Sequence, residues 1–475
     1  MPSMSRMPSG CPRQFTRPVA LLIICLFLLD PLPTQPLFAA SLSGQLAPLP
    51  DEQPVDVLRL LTPSAICPDV VAPPGVDTLD IQAVAAHWPL TRANPDPDGN
   101  PATPNYEARY DIDQDGDVDV MDIMLTSAQW STIGAPPGIE ITSIPPYGSW
   151  YVPMGGRVGC VDPAAYRVVV YIFVEGWWTK PTFANPSTII NPDGTWQTNV
   201  TTGGCDNLAT RFAAFLVPVG APVTSVAGSS SLPAAMLVYP HVIVGRLPGT
   251  RTIQFSGATW VVKSTGTCRT VGPGDNYFSD APGDVYVDQD GYLHLSISYH
   301  DSRWWSTEVI NTDLTAYGAY TFTLASRVDT LDPNAVTGLF TWDELDEVYS
   351  HTELDVEFSR WSDPGALQNA QYVVQPYQTA GNRHQFAMQQ TQDTSTHRFL
   401  WQPGSVRFAS YQGAVSPPAP SDLIESWVYT GADMPPAGQA NVRLNLWLVH
   451  GSQPPASGQP LELIVQSFDF TPAPE

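Results

Sequence analysis

Residues 351–358 read His-Thr-Glu-Leu-Asp-Val-Glu-Phe, a stretch in which acidic residues alternate with apolar ones. Successive side chains of a β-strand point to opposite faces, so Glu353, Asp355 and Glu357 share one face. No Lys or Arg lies on that face within the strand, and neighbouring like charges raise at least one carboxyl pKa. A half-exposed strand with one wet side produces the same alternation, but the unmixed charge favours a functional face.

Crowded carboxyl groups suit glycoside hydrolysis, which needs one ionised carboxylate and one protonated carboxylic acid. On a flat strand the α-carbons of Glu353 and Glu357 lie about 13 Å apart, at about 3.3 Å per residue. A retaining mechanism needs carboxyl groups about 5–5.5 Å apart, which both side chains can reach by leaning inward on a concave sheet. An inverting mechanism needs less lean, so the spacing leaves both outcomes open.

The chain around this strand resembles glycoside hydrolase family 16, whose members are β-jelly-roll glucanases with the signature E-x-D-x-E. The likeness covers roughly residues 252–471. It is carried by the acid strand and by strand-like segments on both sides of it, which are 304–325, 338–342, 396–401, 406–408, 445–447 and 467–470.

The resemblance implies a role for each acid of the strand. Glu353 is expected to be the nucleophile, Glu357 the acid/base, and Asp355 the residue that holds the nucleophile and tunes its charge, with retention of configuration. The implied substrate is β-glucan with β-1,3 or mixed β-1,3-1,4 linkages, cut in endo mode. The expected substrate contacts, for whose Trp residues core packing is an open alternative, are Trp342, Trp361, His397 and Trp401.

One segment departs from the pattern of the family. His397 and Trp401 are four residues apart, whereas the family spaces its His and Trp by six. The loss of two residues keeps the strand parity, so the inward face survives while the sugar contacts near His397 change. Two other functions stay open: a non-catalytic, lectin-like glycan-binding protein on the same fold, and a calcium-stabilised cell-surface or scaffold protein.

A 42-residue repeat precedes these segments, because seven residues of the stretch 69–88 recur in order in the stretch 111–130. Residues 111–122 fit a twelve-residue calcium loop with alternating carboxylates and with Gly116 at the sixth position, where the chain turns sharply. We expect bound Ca²⁺, with Asp117 offering its carbonyl, and a helix over 123–130. The candidate metal ligands are Asp111, Asp113, Asp115, Asp117, Asp119 and Asp122.

The first copy of the repeat has Val71 and Pro73 at ligand positions, which disfavours a second calcium site. Two loop-helix units of this EF-hand-like kind, with Asp at the twelfth loop position, resemble the type I dockerin over residues 67–130. That resemblance implies a cohesin domain as partner, chosen in part by residues 78–79 and 120–121. A spacer made rigid by calcium is the competing interpretation.

Composition predicts a mostly β protein of several modules, because the chain has 49 Pro, 35 Gly and only 14% charged residues. An N-terminal apolar run behind three Arg, ending in small residues, is typical of a secretory signal peptide. The expected modules are a signal peptide at 1–40, a linker at 41–63, the dockerin-like repeat at 64–135, a small β-sandwich at 138–246, and the two-sheet jelly-roll catalytic domain at 250–475.

The expected export and the net charge limit which molecules the protein can bind. The protein is expected outside the cell or at its surface, free of the membrane after signal cleavage, with an extracellular polysaccharide as substrate. A formal net charge of −25 excludes nucleic-acid binding as a function. Export permits disulfides, and Cys160 with Cys205 is the suggested pair, since both bracket one β-rich stretch. Core packing is favoured over glycan binding for the pair Trp177-Trp178.

Overall fold

The structure is a computed structural model that describes residues 59–60, 76, 78–107, 110–112, 116–128, 137–414, 416 and 419–473. All of them belong to one compact unit that begins at Pro54. The predicted signal peptide lies outside the described residues. Within the described part of the chain, every helix is too short or too polar to cross a bilayer.

Two nine-residue helices carry the predicted repeat. They are α1 (Thr78–Ala86) and α2 (Val120–Ala128), and their first residues are 42 positions apart. The helix predicted after the calcium loop is therefore confirmed, although it begins three residues earlier than expected. The helices pack around a small core that contains Val84, Tyr110 and Val118.

Ten strands precede the C-terminal half among the residues that the structure describes. They are β1 (Arg59–Leu60), β2 (Gly138–Ser143), β3 (Met154–Gly159), β4 (Tyr166–Phe173), β5 (Trp177–Lys180), β6 (Ser187–Ile189), β7 (Thr195–Thr198), β8 (Arg211–Pro218), β9 (Ala227–Ser229) and β10 (His241–Gly245). A sheet in the order β1-β10-β8-β4-β5-β9, with β6 beside β4, faces a three-stranded sheet in the order β2-β3-β7. We call this pair the small sandwich. Its first strand, β1, lies within the stretch predicted as a linker.

The small sandwich has a dry core because the inward residues of its strands are apolar. Val168, Val170 and Ile172 alternate along β4 and pack against Trp196 of the opposite sheet. Trp177 is also fully buried, on the outer face of the larger sheet. The structural interpretation of this tryptophan is therefore confirmed.

Sixteen strands form the C-terminal half. They are β11 (Thr252–Phe255), β12 (Ala258–Val262), β13 (Val285–Val287), β14 (Leu293–His300), β15 (Arg303–Trp305), β16 (Thr307–Thr315), β17 (Gly318–Leu324), β18 (Ala335–Trp342), β19 (Leu354–Phe358), β20 (Ala370–Val374), β21 (Arg383–Phe386), β22 (Ser395–Gln402), β23 (Ser405–Gln412), β24 (Leu423–Tyr429), β25 (Ala440–Leu448) and β26 (Leu461–Pro472).

These strands make two eight-stranded antiparallel sheets packed face to face. The front sheet runs β11-β12-β16-β25-β18-β19-β20-β21, and the back sheet runs β13-β14-β26-β17-β22-β23-β24 with β15 beside β14. Several neighbours in each sheet, such as β16 with β25 and β14 with β26, are distant in sequence, as in a jelly roll. The predicted fold class, mostly β with a large two-sheet sandwich behind a smaller one, is confirmed.

Apolar and polar residues alternate along the strands of the front sheet, and this alternation decides which face of the sheet is buried. Along β25, Val442, Leu444 and Leu446 are buried in the core between the sheets, and the intervening Arg443 and Asn445 lie on the opposite face. A sheet that buries one face shows this period of two. The polar face of the front sheet is therefore the surface on which a site can form.

A disulfide ties the small sandwich to the C-terminal half. Cys205 bonds to Cys268, with their α-carbons 5.9 Å apart. The predicted pair of Cys160 with Cys205 is wrong, and Cys160 takes part in a separate disulfide. The reason is the position of Cys205, at the edge of the small sandwich that contacts the loop after β12. In the same region the Tyr147 hydroxyl donates a hydrogen bond of 2.5 Å to the carbonyl of Ser264.

The disulfide predicts a stability change. Cys205→Ser should lower the free energy of unfolding by about 2–4 kcal/mol, because the unfolded chain regains the entropy of an open loop. Urea unfolding under non-reducing conditions measures the loss. The double variant C205S/C268S should lose no more than either single variant, and an unchanged urea midpoint in all three would contradict the prediction.

Candidate active site

The acid strand has the alternation that its sequence predicts. Leu354, Val356 and Phe358 are fully buried between the sheets. Glu353, just before β19, and Glu357 are half-buried on the other face, with Asp355 between them and only 3% exposed. All three carboxyl groups line one cavity, so the structure brings together the acids that the sequence singled out.

The chain reaches Glu353 through an unusual turn. Ser350, His351 and Thr352 have φ values of 49°, 62° and 53°, in the left-handed region. Each such residue costs about 1–3 kcal/mol, and such strain clusters at functional sites. Two hydrogen bonds fix the turn, from the Thr352 hydroxyl to Asp346 (2.5 Å) and from the Thr341 hydroxyl to the Thr352 carbonyl (2.8 Å). The backbone that presents Glu353 is therefore held in place.

Two glutamines of the neighbouring strand region support the acids. The Gln371 amide donates to Glu357 Oε2 at 2.7 Å, and the Gln375 amide donates to Asp355 Oδ2 at 3.1 Å. The sequence analysis missed both. The sequence does contain a signal for them. Gln371, Val373 and Gln375 follow each other with a period of two in the segment that forms the next strand after the acid strand, and a neighbouring strand places these side chains beside the acids.

The pKa of every acid in this trio is raised. Burial is the largest cause for each, because it disfavours the charged form. The negative charge of Glu357 adds to the rise for Glu353, and both glutamates add to it for Asp355. The pKa of Glu357 rises to about 7, with Gln371 opposing the shift.

A hydrogen bond between Asp355 and Glu353 shifts their pKa values in opposite directions. It lowers the pKa of Glu353 and raises that of Asp355. Burial outweighs this hydrogen bond for Glu353, whose pKa still rises to about 8. Within the pair, the hydrogen bond favours Asp355 as the proton donor and Glu353 as the acceptor.

A network of buried ion pairs lies next to the trio. Lys263 Nζ lies 3.0 Å from Glu308 Oε2, and Arg443 Nη1 lies 3.3 Å from Glu308 Oε1. The other terminal nitrogen of Arg443, Nη2, lies 3.5 Å from Glu344 Oε2. Burial would raise the pKa of Glu344, but the charges of Arg443 and Arg211 outweigh it and hold that pKa below its usual value.

The cavity that contains these groups has a volume of about 430 Å³. That lies within the range of about 300–1,000 Å³ typical of ligand pockets. Trp342 lines it, stacked on His351 with ring centres 4.1 Å apart, and its indole N–H donates to Glu344 at 3.0 Å. Apolar rings beside polar groups make a surface on which a sugar ring can stack.

The four predicted substrate contacts fall into two groups. Trp342 lines the cavity, and Trp361 lies behind the lining, edge-on to Trp447 at 6.1 Å. His397 and Trp401 are fully buried on β22 of the back sheet, away from the cavity. The prediction that these two contact substrate is corrected, because their strand parity turns them into the core between the sheets.

The surroundings of His397 show what it does instead. Its ring nitrogens lie 2.9 Å from the hydroxyls of Ser395 and Ser410. Burial lowers its pKa to about 3, so the imidazole stays neutral. Trp401 packs edge-on against Tyr317 with ring centres 5.1 Å apart. Both residues stabilise the core.

The calcium loop is described in part, since Asp113 and Asp115 lie outside the described residues. Asp111 is buried, with one carboxylate oxygen lacking any hydrogen-bond partner, and Gly116 has φ of 105°. Asp122 is buried too and accepts a hydrogen bond from the backbone N–H of Asp119 at 2.7 Å. Asp117 is half-buried. Within the described ranges, no group of three His, Cys, Asp or Glu side chains is arranged to hold a metal ion. A bare buried oxygen on Asp111 nevertheless fits a hard cation.

Comparison with known proteins finds solved structures that are similar to part of this chain in fold. No family model matches the chain. No curated protein matches it either. Among solved structures, a β-glucanase of Bacillus licheniformis is 15% identical, with a TM-score of 0.35, over 46% of this chain and 95% of that one. A β-1,3-glucanase of Mycobacterium marinum is 14% identical, with a TM-score of 0.34, over 47% and 94%.

A third neighbour is described as an immunostimulatory antigen and pseudo β-1,3-glucanase of Mycobacterium tuberculosis. It is 16% identical, with a TM-score of 0.34, over 45% of this chain and 91% of that one. At such identities and scores these likenesses carry no argument about activity.

The raised pKa of Glu357 predicts how stability depends on pH. The folded protein keeps this proton up to about pH 7, whereas the unfolded chain loses it near 4.5. Because the native state binds more protons between these values, stability should fall as pH rises through the window. Urea midpoints across the window should fall more for the wild type than for Glu357→Gln, and parallel profiles would contradict the assigned shift.

Proposed function

We propose that the protein is a secreted, retaining glycoside hydrolase that cleaves β-glucan with β-1,3 or mixed β-1,3-1,4 linkages. The observation that carries the proposal is the trio of Glu353, Asp355 and Glu357 on one face of one strand, inside a cavity, with raised pKa values. Glycoside hydrolysis requires two carboxyl groups in different protonation states.

Each acid has a step in the proposed reaction. Glu357, with a pKa of about 7, keeps a proton near neutral pH and gives it to the leaving glycosidic oxygen. Glu353, in its ionised form, accepts a hydrogen bond from Asp355, attacks the anomeric carbon and forms a glycosyl ester. Glu357, now a base, then takes a proton from water as that water displaces Glu353.

Charge in the cavity favours a neutral glycan. Its cations are Arg211, Lys263 and Arg443, and each of them lies within 4 Å of a carboxylate of Glu344 or Glu308. No unbalanced positive charge remains among the described lining residues to attract a sulfated or uronic acid chain. Neutral sugars need hydrogen-bonding groups and aromatic faces, which this lining offers.

The repeat module has a separate proposed role. We propose that its second loop binds Ca²⁺ through Asp111, Asp119 and Asp122, with the carbonyl of Asp117, and with Asp113 and Asp115 completing the set. Bound Ca²⁺ would neutralise the buried carboxylates and hold the loop against α2.

A protein partner is proposed for the same module. Leu79, Val120 and Met121 are exposed on the two helices, as an apolar docking surface requires. A cohesin domain is the proposed partner. Calorimetry tests it, and calcium binding without affinity for any cohesin would leave the rigid spacer as the role of the module.

Substitution of the acids predicts distinct kinetic losses. Glu353→Gln should abolish sugar release from whichever member of a panel of lichenan, laminarin, xyloglucan and agar the wild type hydrolyses, because no nucleophile remains. Glu357→Gln should lose about 10²–10⁴-fold on a glucan but much less on an aryl glycoside whose leaving group needs no proton. Reducing-sugar and chromophore assays on both substrate types measure the split.

A matched control separates chemistry from folding. Glu425→Gln changes a glutamate on β24 of the back sheet and should keep wild-type rates. Full activity of Glu353→Gln would contradict the nucleophile assignment. Glucan binding without release by the wild type would point to a lectin on this fold.

The calcium site predicts a metal-dependent shift in stability. Ca²⁺ should raise the melting temperature of the wild type relative to chelator, and Asp111→Asn should reduce that shift, because a buried carboxylate ligand is lost. Asp98→Asn is the matched control, since this exposed aspartate accepts hydrogen bonds from Asn100 and Thr103 in a turn between the two helices. An equal shift in both variants would count against the site.

A further inference from the structure

The small sandwich forms part of the candidate active site. One wall of the cavity that contains the acid trio comes from this module and not from the jelly roll. The module supplies aromatic, polar and charged groups to the lining. We call these residues the sandwich wall: Tyr147, Phe173, Glu175, Leu208, Thr210 and Arg211.

Arg211 is the centre of the sandwich wall. Its guanidinium lies over the ring of Phe173, 3.6 Å from the ring centre. Its Nε lies 3.8 Å from Glu344 Oε1, and its Nη1 donates to Glu347. The hydroxyl of the preceding residue, Thr210, donates to the same Glu344 oxygen at 2.9 Å. Residues of one module thus hold carboxylates of the other at the edge of the cavity.

Several contacts keep the wall where it is. The disulfide of Cys205 with Cys268 joins the modules covalently. Arg269 Nη1 donates to the Val174 carbonyl at 3.0 Å, beside Glu175 of the wall. Leu247, after the last strand of the small sandwich, packs on Val261 and Ile310 of the front sheet. A covalent bond, polar contacts and an apolar cluster make this wall a fixed part of the site.

The cavity extends to one side of the acid strand only. Its described lining from the front sheet comes from β16, β25, β18 and β19 and from the segment after β12, with none from β20 or β21. The sandwich wall covers that same side. On the other side of β19, Glu357 pairs with Gln371 of β20. The strand β20 pairs in turn with β21, where Arg383 is exposed.

We infer that the sandwich wall closes one end of the glucan-binding cleft, so that the enzyme removes short units from chain ends. A chain that crosses the acid strand from the side of β20 would run into a space of about 430 Å³ bounded by Arg211 and Phe173. Such a volume holds a ligand of drug size and not a polymer. The inference rests on the proposed hydrolase function and replaces the endo mode that the sequence resemblance implies.

The wall also touches the loop that leads to the nucleophile. Glu344 and Glu347, the partners of Arg211, lie in the segment between β18 and the strained turn before Glu353. Arg211 therefore acts as a positioning residue as well as a wall residue. Its loss should alter the length of the products and not only the rate.

Product analysis of the full chain tests the inference. The wild type acts on whichever linear glucan of the panel it hydrolyses, with viscosity, reducing ends and product lengths followed from the earliest times. We expect one short product, little loss of viscosity per reducing end released, and no hydrolysis of a cyclic β-glucan, which has no chain end. An early ladder of mixed lengths, or hydrolysis of the cyclic glucan, overturns the inference and leaves the hydrolase proposal standing.

Two variants locate the effect. Arg211→Ala should shift the products towards longer lengths and greater viscosity loss per cut, because it removes the wall residue that holds Glu344 and Glu347. Arg167→Ala is the matched control, at the other end of β4, where its side chain donates to the Ala221 carbonyl at 2.8 Å. It should keep the wild-type products. The same product shift in both variants would overturn the role of Arg211, and no sugar release by the wild type would overturn the hydrolase proposal itself.

Discussion

The two-residue period of β19 is the constraint on which the site depends. Leu354, Val356 and Phe358 are buried between the sheets, and each buried apolar side chain of this kind contributes about 1.5–3 kcal/mol. Their burial forces Glu353, Asp355 and Glu357 onto the opposite face. A slip of one residue in the pairing of β18 with β19 would exchange the two sets and would bury three acids in the core. The hydrophobic core and the acid trio are therefore set by one register.

Placing three carboxyl groups in one cavity has an electrostatic cost that the surroundings offset in steps. Each acid takes up a proton more readily because it is buried, and Asp355 shares its proton with Glu353. Gln371 donates to Glu357, and Gln375 donates to Asp355. A buried charge without such partners costs several kcal/mol. Hydrogen bonds from Asp355 and Gln371 oppose the rise in the pKa of Glu353 and Glu357, the two acids that the proposed chemistry uses.

Sequence patterns were informative wherever one strand carried the signal. The alternation at 351–358 predicted which acids share a face, and the 42-residue offset predicted the spacing of α1 and α2. They failed where pairing between distant strands decides the outcome. His397 and Trp401 have the composition of a sugar site, but β22 pairs into the back sheet and turns them inward. The partner of Cys205 and the contribution of Arg211 to the cavity depend on how the small sandwich meets the jelly roll, which no local period encodes.

Covalent trapping tests the central claim that the acid strand carries a nucleophile. A 2-deoxy-2-fluoro β-glycoside with a good leaving group forms a glycosyl-enzyme that hydrolyses slowly, since the fluorine destabilises the oxocarbenium-like transition state. Mass spectrometry of the intact protein and of its peptides should show one added sugar, on Glu353, and none in Glu353→Gln. A label on any other residue, or turnover of glucan with inversion and no label, would contradict the account.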